Sequence, residues 1–232
     1  MKILVTSPMR TGSTWVYEVI VALTRPDRHA FVSTVSDAIR MLDESGSCVL
    51  KTHSINGNNL SHLSGRAHSI RVLRNYKDSL MSRALYCRNV RPAEKEPNLP
   101  EEEEIIRTCV NLSDKDFVNY FLTTSQSVQR WMEELVAFER GAFDHTFYYE
   151  MLLHNPRDQF LLWLEKNEPL FALDEDDVER ALEKRSYEYM QRTKTPGFIG
   201  STGVGLWMQW LSNSLSKDLD RLYYDQRRQI LK

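Results

Sequence analysis

The chain has 232 residues, 41% of them hydrophobic and 27% charged, with a formal net charge of −2. That size and balance predict one soluble domain over residues 1–232 with a real core. The absence of a basic tail or a block of Lys and Arg argues against nucleic acid or an anionic membrane as the main partner. Arg10 and Glu18 interrupt what would be the apolar region of a signal peptide, and no apolar run is long enough to span a bilayer, so a cytoplasmic protein is expected.

Ile3-Leu4-Val5 reads as a short buried strand, and the apolar spacing of Val16 to Leu23 reads as a helix. Between them, Ser7-Pro8-Met9-Arg10-Thr11-Gly12-Ser13-Thr14-Trp15 forms a strand-loop-helix corner. Gly12 permits a tight turn, and the first N–H groups of the helix have no partner inside it, which makes an anion cup. Arg10 adds a fixed positive charge, so the natural guest is a phosphate or a sulfate. The corner lacks the Gly-Lys-Ser/Thr of nucleoside-triphosphate loops, which disfavours an ordinary ATPase or GTPase.

Val35 to Leu42 reads as a short helix after a polar segment that begins at Arg25-Pro26-Asp27. Cys48-Val49-Leu50 is a second strand, and it delivers Lys51 and His53 to its C-terminal end on one face, two residues apart. In an open parallel sheet, that edge is where ligands sit. Ser69 to Leu73 alternates like a strand, and Arg74-Asn75-Tyr76-Lys77-Asp78 opens a helix that carries Ser82. Arg74 thus stands at a third strand end.

Residues 88 to 100 read as a loop, and Glu101 to Glu104 as the acidic first turn of a helix with a solvated face. Asp114 to Phe138 has helical apolar spacing, His145 to Tyr149 reads as a strand, and Asn155-Pro156 starts another helix. Asp174 to Leu182 is a short helix, Gly197 to Gly205 a loop, and Leu211, Leu215, Leu219 and Leu222 mark a closing helix from Trp207. Arg83, Arg88, Arg91 and Lys95 read as a basic face, solvated or turned to an acidic acceptor. Cys48, Cys87 and Cys109 are odd in number without metal-ligand spacing, so they read as reduced, structural thiols. Strands alternating with helices predict an α/β fold, a three-layer parallel sheet flanked by helices.

Taken together, these corners resemble the sulfotransferase family that uses 3′-phosphoadenosine 5′-phosphosulfate (PAPS), especially its cytosolic type. The resemblance implies that the α/β fold is of the P-loop nucleotide-binding-like type. Met9-Arg10-Thr11-Gly12-Ser13-Thr14-Trp15 resembles the family's Pro-Lys-Ser-Gly-Thr-Thr-Trp loop for the 5′-phosphosulfate, with Arg10 in place of the lysine. Lys51-Thr52-His53 matches the family's Lys-Thr-His, in which histidine is the base and lysine a stabiliser. Arg74-Asn75-Tyr76-Lys77-Asp78 with Ser82 is similar to the 3′-phosphate motif, Tyr76 replacing a proline. Tyr148-Tyr149-Glu150-Met151 with Asn155-Pro156 resembles a segment that implies Tyr149 near the nucleotide, and Ser186 to Met190 resembles one whose aromatic, here Tyr187, packs on adenine. The family's Arg-Lys pair before the last helix is missing around Gly200-Ser201-Thr202-Gly203, so Ser201 and Thr202, or Lys194, are the expected substitutes.

The resemblance implies transfer of a sulfuryl group from PAPS to a hydroxyl or amine of a small-molecule or saccharide acceptor, leaving 3′-phosphoadenosine 5′-phosphate (PAP). His53 would be the general base, Lys51 and Arg10 would stabilise charge, and Thr11 to Trp15 would cradle the donor; no metal is expected. Two other readings stay open: a small-molecule kinase with an atypical phosphate loop, and a non-catalytic nucleotide-binding module. The oligomeric state has no signature here.

Overall fold

A computed structural model describes residues 1–63, 65–91, 98–167, 173–186 and 204–230. It divides into two compact units, Met1–Arg74 with Ala137–Met190, and Asn75–Val136 with Gln191–Lys232.

The first unit is built on a five-stranded parallel sheet in the order β2-β3-β1-β4-β5, with β1 Lys2–Thr6, β2 Arg28–Phe31, β3 Cys48–Thr52, β4 His68–Leu73 and β5 His145–Tyr148. Parallel strands need crossovers, and the helices that supply them cover the sheet. Helix α1 (Ser13–Thr24) packs on β1, β3 and β4, and α2 (Val35–Asp43) packs on β3. Leu4, Cys48 and Leu50 share a cluster with Ala38 and Leu42 of α2. Ile3, Val5 and Val49 alternate to the opposite face and are equally inaccessible to solvent. Both faces are therefore buried, and each such aliphatic side chain stabilises the sheet by about 1.5–3 kcal/mol.

Strand β2 escapes the sequence reading. Arg28-His29-Ala30-Phe31 has the composition of a loop, yet it pairs in register with β3 as an edge strand, where backbone pairing needs little help from apolar side chains. At the other side, β4 carries an inward arginine: Arg71 donates to the carbonyls of Phe138, Glu139 and Gly141 at 2.9, 2.8 and 3.1 Å. Those are orphan carbonyls at a helix end, and the guanidinium caps them. The unit is completed by α7 (Tyr149–His154), α8 (Pro156–Lys166) and α9 (Glu175–Lys184).

The second unit is helical: α3 (Tyr76–Asn89), α4 (Pro100–Thr108), α5 (Asp114–Thr124), most of α6 (Ser127–Arg140), α10 (Trp207–Trp210) and α11 (Asn213–Ile230). The single helix read over Asp114 to Phe138 is two. Thr123 and Thr124 turn their hydroxyls back onto the preceding helical carbonyls, and Ser125 both ends α5 and accepts the Ser127 N–H to start α6. The closing helix is also divided: Asn119 accepts the Ser212 N–H and donates to the Trp210 carbonyl, holding a break between α10 and α11.

The acidic turn keeps Glu103 and Glu104 exposed, as read, but turns Glu102 inward, and the arginines of the basic face are largely covered. Glu102 is 1% exposed and meets Arg91 at 3.0 Å, while Arg83 pairs with Glu134 and Arg88 with Asp114. Arg83, Arg88 and Arg91 also lie over the rings of Trp131, Phe117 and Tyr86. Their guanidinium planes cover aromatic core while their charges are matched by carboxylates; Lys95 falls outside the described residues. Cys48, Cys87 and Cys109 are buried and none of them is in a disulfide.

Candidate active site

The sheet reverses its winding at β1: the chain passes from β1 to β2 and β3 on one side, then to β4 and β5 on the other. A crevice opens outside the carboxyl ends of strands at such a point. The turn after β1 and the residues after β3, β4 and β5 all end there.

In the first turn, Gly12 has φ 91° and Arg10 φ 69°, both in the left-handed region. The αL glycine lets the backbone reverse directly into α1, whose first helical bonds run from Trp15 and Val16 N–H to the Gly12 carbonyl at 3.0 and 3.4 Å. The amides of Ser13 and Thr14 come before any helical carbonyl can reach them and lie at the positive end of the helix dipole. Thr11 donates its hydroxyl to the Pro8 carbonyl at 3.0 Å, bracing the turn. Trp15 is 5% exposed, and its indole N–H donates at 2.7 Å to the carbonyl of Arg185, just past α9.

Lys51 and His53 come off the end of β3 on the same side, as their spacing predicts. Lys51 Nζ lies 3.1 Å from His53 Nε2, and His53 Nδ1 lies 2.8 Å from the Ser7 carbonyl. A carbonyl only accepts, so Nδ1 carries the proton; Nε2 then presents its lone pair, toward which the ammonium donates. The histidine is thereby clamped to the turn that ends in Gly12. Phe31, the last residue of β2, sits against both, its ring centroid 4.6 Å from Lys51 Nζ and 5.7 Å from the His53 ring. Sequence reasoning missed Phe31 because it missed the strand.

Arg74 follows β4, is 8% exposed, and donates from Nη1 to the Arg10 carbonyl at 3.2 Å, bridging the crevice between the ends of β1 and β4. Its guanidinium lies 4.5 Å over the ring of Tyr149, which opens α7 immediately after β5. That ring in turn covers Gly12: a Cβ placed there would lie 2.4 Å from Tyr149 Cδ2. Arg10, Gly12, Arg74 and Tyr149 thus come together although they are scattered along the sequence.

Ser82 belongs to the second unit, where it is 1% exposed on α3. In that unit Asp78, fully buried, accepts the N–H groups of Gly205 and Trp207 at 2.8 and 3.3 Å. Lys77 donates to Ser216 and Asp220, with Trp207 4.2 Å from its ammonium. The segment after Gly205 is therefore anchored to the first turn of α3, a function of Asp78 that its spacing does not reveal. Tyr187, Lys194, Ser201 and Thr202 lie outside the described residues.

Among the described residues no group of three His, Cys, Asp or Glu side chains is placed to hold a metal, and no helix is long and apolar enough to cross a membrane. Helix amides, Lys51 and Arg74 are donors of the kind that suits oxyanions, and Arg10 belongs to the same turn. Such a set suits a phosphorylated nucleotide.

A parallel sheet with this turn at its switch point defines an α/β fold of the P-loop nucleotide-binding type. More particularly, it is the fold of the sulfotransferases. Mouse sulfotransferase SULT7A1 complexed with PAP matches it with a TM-score of 0.69 over 98% of this chain and 84% of its own, at 15% identity. Retinol dehydratase in complex with androsterone and inactive cofactor PAP matches with 0.62, over 97% of this chain and 80% of its own, at 13% identity. Retinol dehydratase with retinol and PAP gives 0.62 over the same shares, at 14% identity. No protein-family model matches the sequence, and no curated protein matches it by sequence.

Proposed function

We propose that the protein is a PAPS-dependent sulfotransferase, acting as a single catalytic domain over residues 1–232, with His53 as general base and a small-molecule or saccharide hydroxyl or amine as acceptor. The observation that supports this most is the imidazole clamped to the Gly12 turn: His53 is bonded to Ser7 through Nδ1 at 2.8 Å, with Nε2 left as its basic atom. Fold likeness over 97–98% of its length to proteins crystallised with PAP adds to it, as does the fit of the residues to a doubly phosphorylated nucleotide.

When bound, PAPS would supply an electrophilic sulfur and a 5′-phosphate leaving group. The Ser13 and Thr14 amides, with Arg10, would hold the oxyanions at the turn, and Arg74 would take the second phosphate. Lys51 would stabilise developing negative charge, and His53 Nε2 would remove the acceptor's proton. Tyr149 would flank the nucleotide beside Arg74. Arg10 differs from a lysine in this role: a planar fork replaces a point charge, so it favours binding two oxygens over following one.

A thermal-shift panel separates this from the other readings. PAP is expected to raise the melting temperature without Mg²⁺, whereas ATP, with or without Mg²⁺, is expected to leave it nearly unchanged. Stabilisation by ATP and Mg²⁺ alone would favour a kinase. Stabilisation by PAP without transfer from labelled PAPS to any acceptor would favour a binding module.

A further inference from the structure

We propose that Lys51 masks the base at rest: its ammonium occupies the His53 Nε2 lone pair, and an anion arriving at the Gly12 turn draws the lysine away and frees that nitrogen. This rests on the sulfotransferase reading and deepens it, because it makes proton abstraction conditional on donor occupancy.

Two hydrogen bonds and one ring carry the inference. The Ser7 carbonyl fixes the proton on Nδ1, so Nε2 has a single in-plane lone pair. Lys51 Nζ lies 3.1 Å from Nε2, within hydrogen-bond distance, and with the proton on Nδ1 it is the ammonium that donates there. One lone pair accepts one strong hydrogen bond, so an acceptor hydroxyl cannot give up its proton to Nε2 while the ammonium holds it.

The ring faces Ser7 from the turn after β1, Phe31 from β2 and Lys51 from β3. An anionic oxygen is a stronger partner for an ammonium than a neutral imidazole is. Lysine suits the switch because its charge rides on a flexible four-carbon stem, and the Phe31 ring, 4.6 Å from the ammonium, gives the cation a second favourable surface as it swings. The outcome is an ordered site, in which acceptor bound without donor meets a base that cannot act.

The test is the ¹⁵N resonance of His53 Nε2 in histidine-labelled protein at about pH 8, where an ordinary imidazole is neutral. In ligand-free wild type it should show a lone pair engaged as acceptor. Lys51→Met should shift it downfield toward a free lone pair, PAP should move the wild type the same way, and PAP should add little in Lys51→Met. An unchanged resonance in a folded Lys51→Met would overturn the proposal. So would an unchanged Nε2 in wild type whose other resonances report bound PAP, an arm that needs no variant. If PAP perturbs no resonance at all, the donor reading itself fails and the release step falls with it.

Discussion

Gly12 and Tyr149 touch so closely that the glycine has no room for a side chain: its Cβ would lie 2.4 Å from Cδ2 of the ring. The same residue has φ 91°, a conformation that costs other residues about 1–2 kcal/mol. The ring cannot readily withdraw, because it is 3% exposed and backed by Arg74 at 4.5 Å. We therefore expect Gly12→Ala to destabilise the protein by about 2–4 kcal/mol through strain and overpacking combined. Urea melts of Gly12→Ala, Tyr149→Ala and the double variant check this. The double variant should be less destabilised than the sum, and strict additivity would remove the contact as the cause.

Arg74 is expected to carry most of the affinity for a second phosphate. Arg74→Ala should weaken PAP by about 2 kcal/mol or more and adenosine 5′-monophosphate far less, since only a charge-assisted contact to the extra phosphate is lost. Titration calorimetry with both nucleotides gives the comparison. Equal losses would mean that Arg74 acts only through the Arg10 carbonyl it supports.

Glu102 and Arg91 form a nearly water-free pair, 1% and 15% exposed at their side chains. The Leu99 N–H and the Ser127 hydroxyl also bond to Glu102. Glu102→Ala removes the carboxylate that pairs with Arg91 among the described residues, and we expect a loss of about 3–5 kcal/mol in denaturant melts. Replacing both partners by apolar residues should recover much of it. A cost below about 1 kcal/mol for Glu102→Ala would return the acidic turn to the ordinary surface class.

Acid sensitivity should trace in part to His145. Burial first, then the charges of Lys166 and His68, push its pKa down from 6.5 to about 4. Between those values the unfolded protein binds a proton that the native ring refuses, so stability falls as pH drops from about 6.5 toward 4. The contribution is roughly 2–3 kcal/mol at the acid end. His145→Gln should flatten that part of the stability profile, measured by urea midpoints across the window; an identical acid slope would assign the sensitivity elsewhere.

The parts of the site visible in the sequence were those with a local cause. Gly12 beside hydroxyl residues marks a strand-to-helix turn, and the two-residue spacing of Lys51 and His53 fixes their common side because strands alternate. Strand β2 was illegible because an edge strand of Arg, His, Ala and Phe owes its place to pairing with β3, and Phe31 was lost with it. Likewise the arginines at 83, 88 and 91 read as surface because one-dimensional spacing cannot show a carboxylate or an aromatic ring brought up from another helix. The breaks at Ser125 and Ser212 had visible hydroxyls. Their apolar spacing nonetheless continued across the break, and periodicity outweighed the caps.

The most direct measurement is transfer from ³⁵S-labelled PAPS to a panel of phenols, alcohols, amines and saccharides, by wild type and His53→Ala side by side. Label should appear in at least one acceptor with the wild type, and His53→Ala should lower turnover by roughly two to four orders of magnitude while binding PAP nearly as well. Turnover of His53→Ala within a few-fold of wild type, or PAP bound tightly with no label moved to any acceptor, would contradict the account.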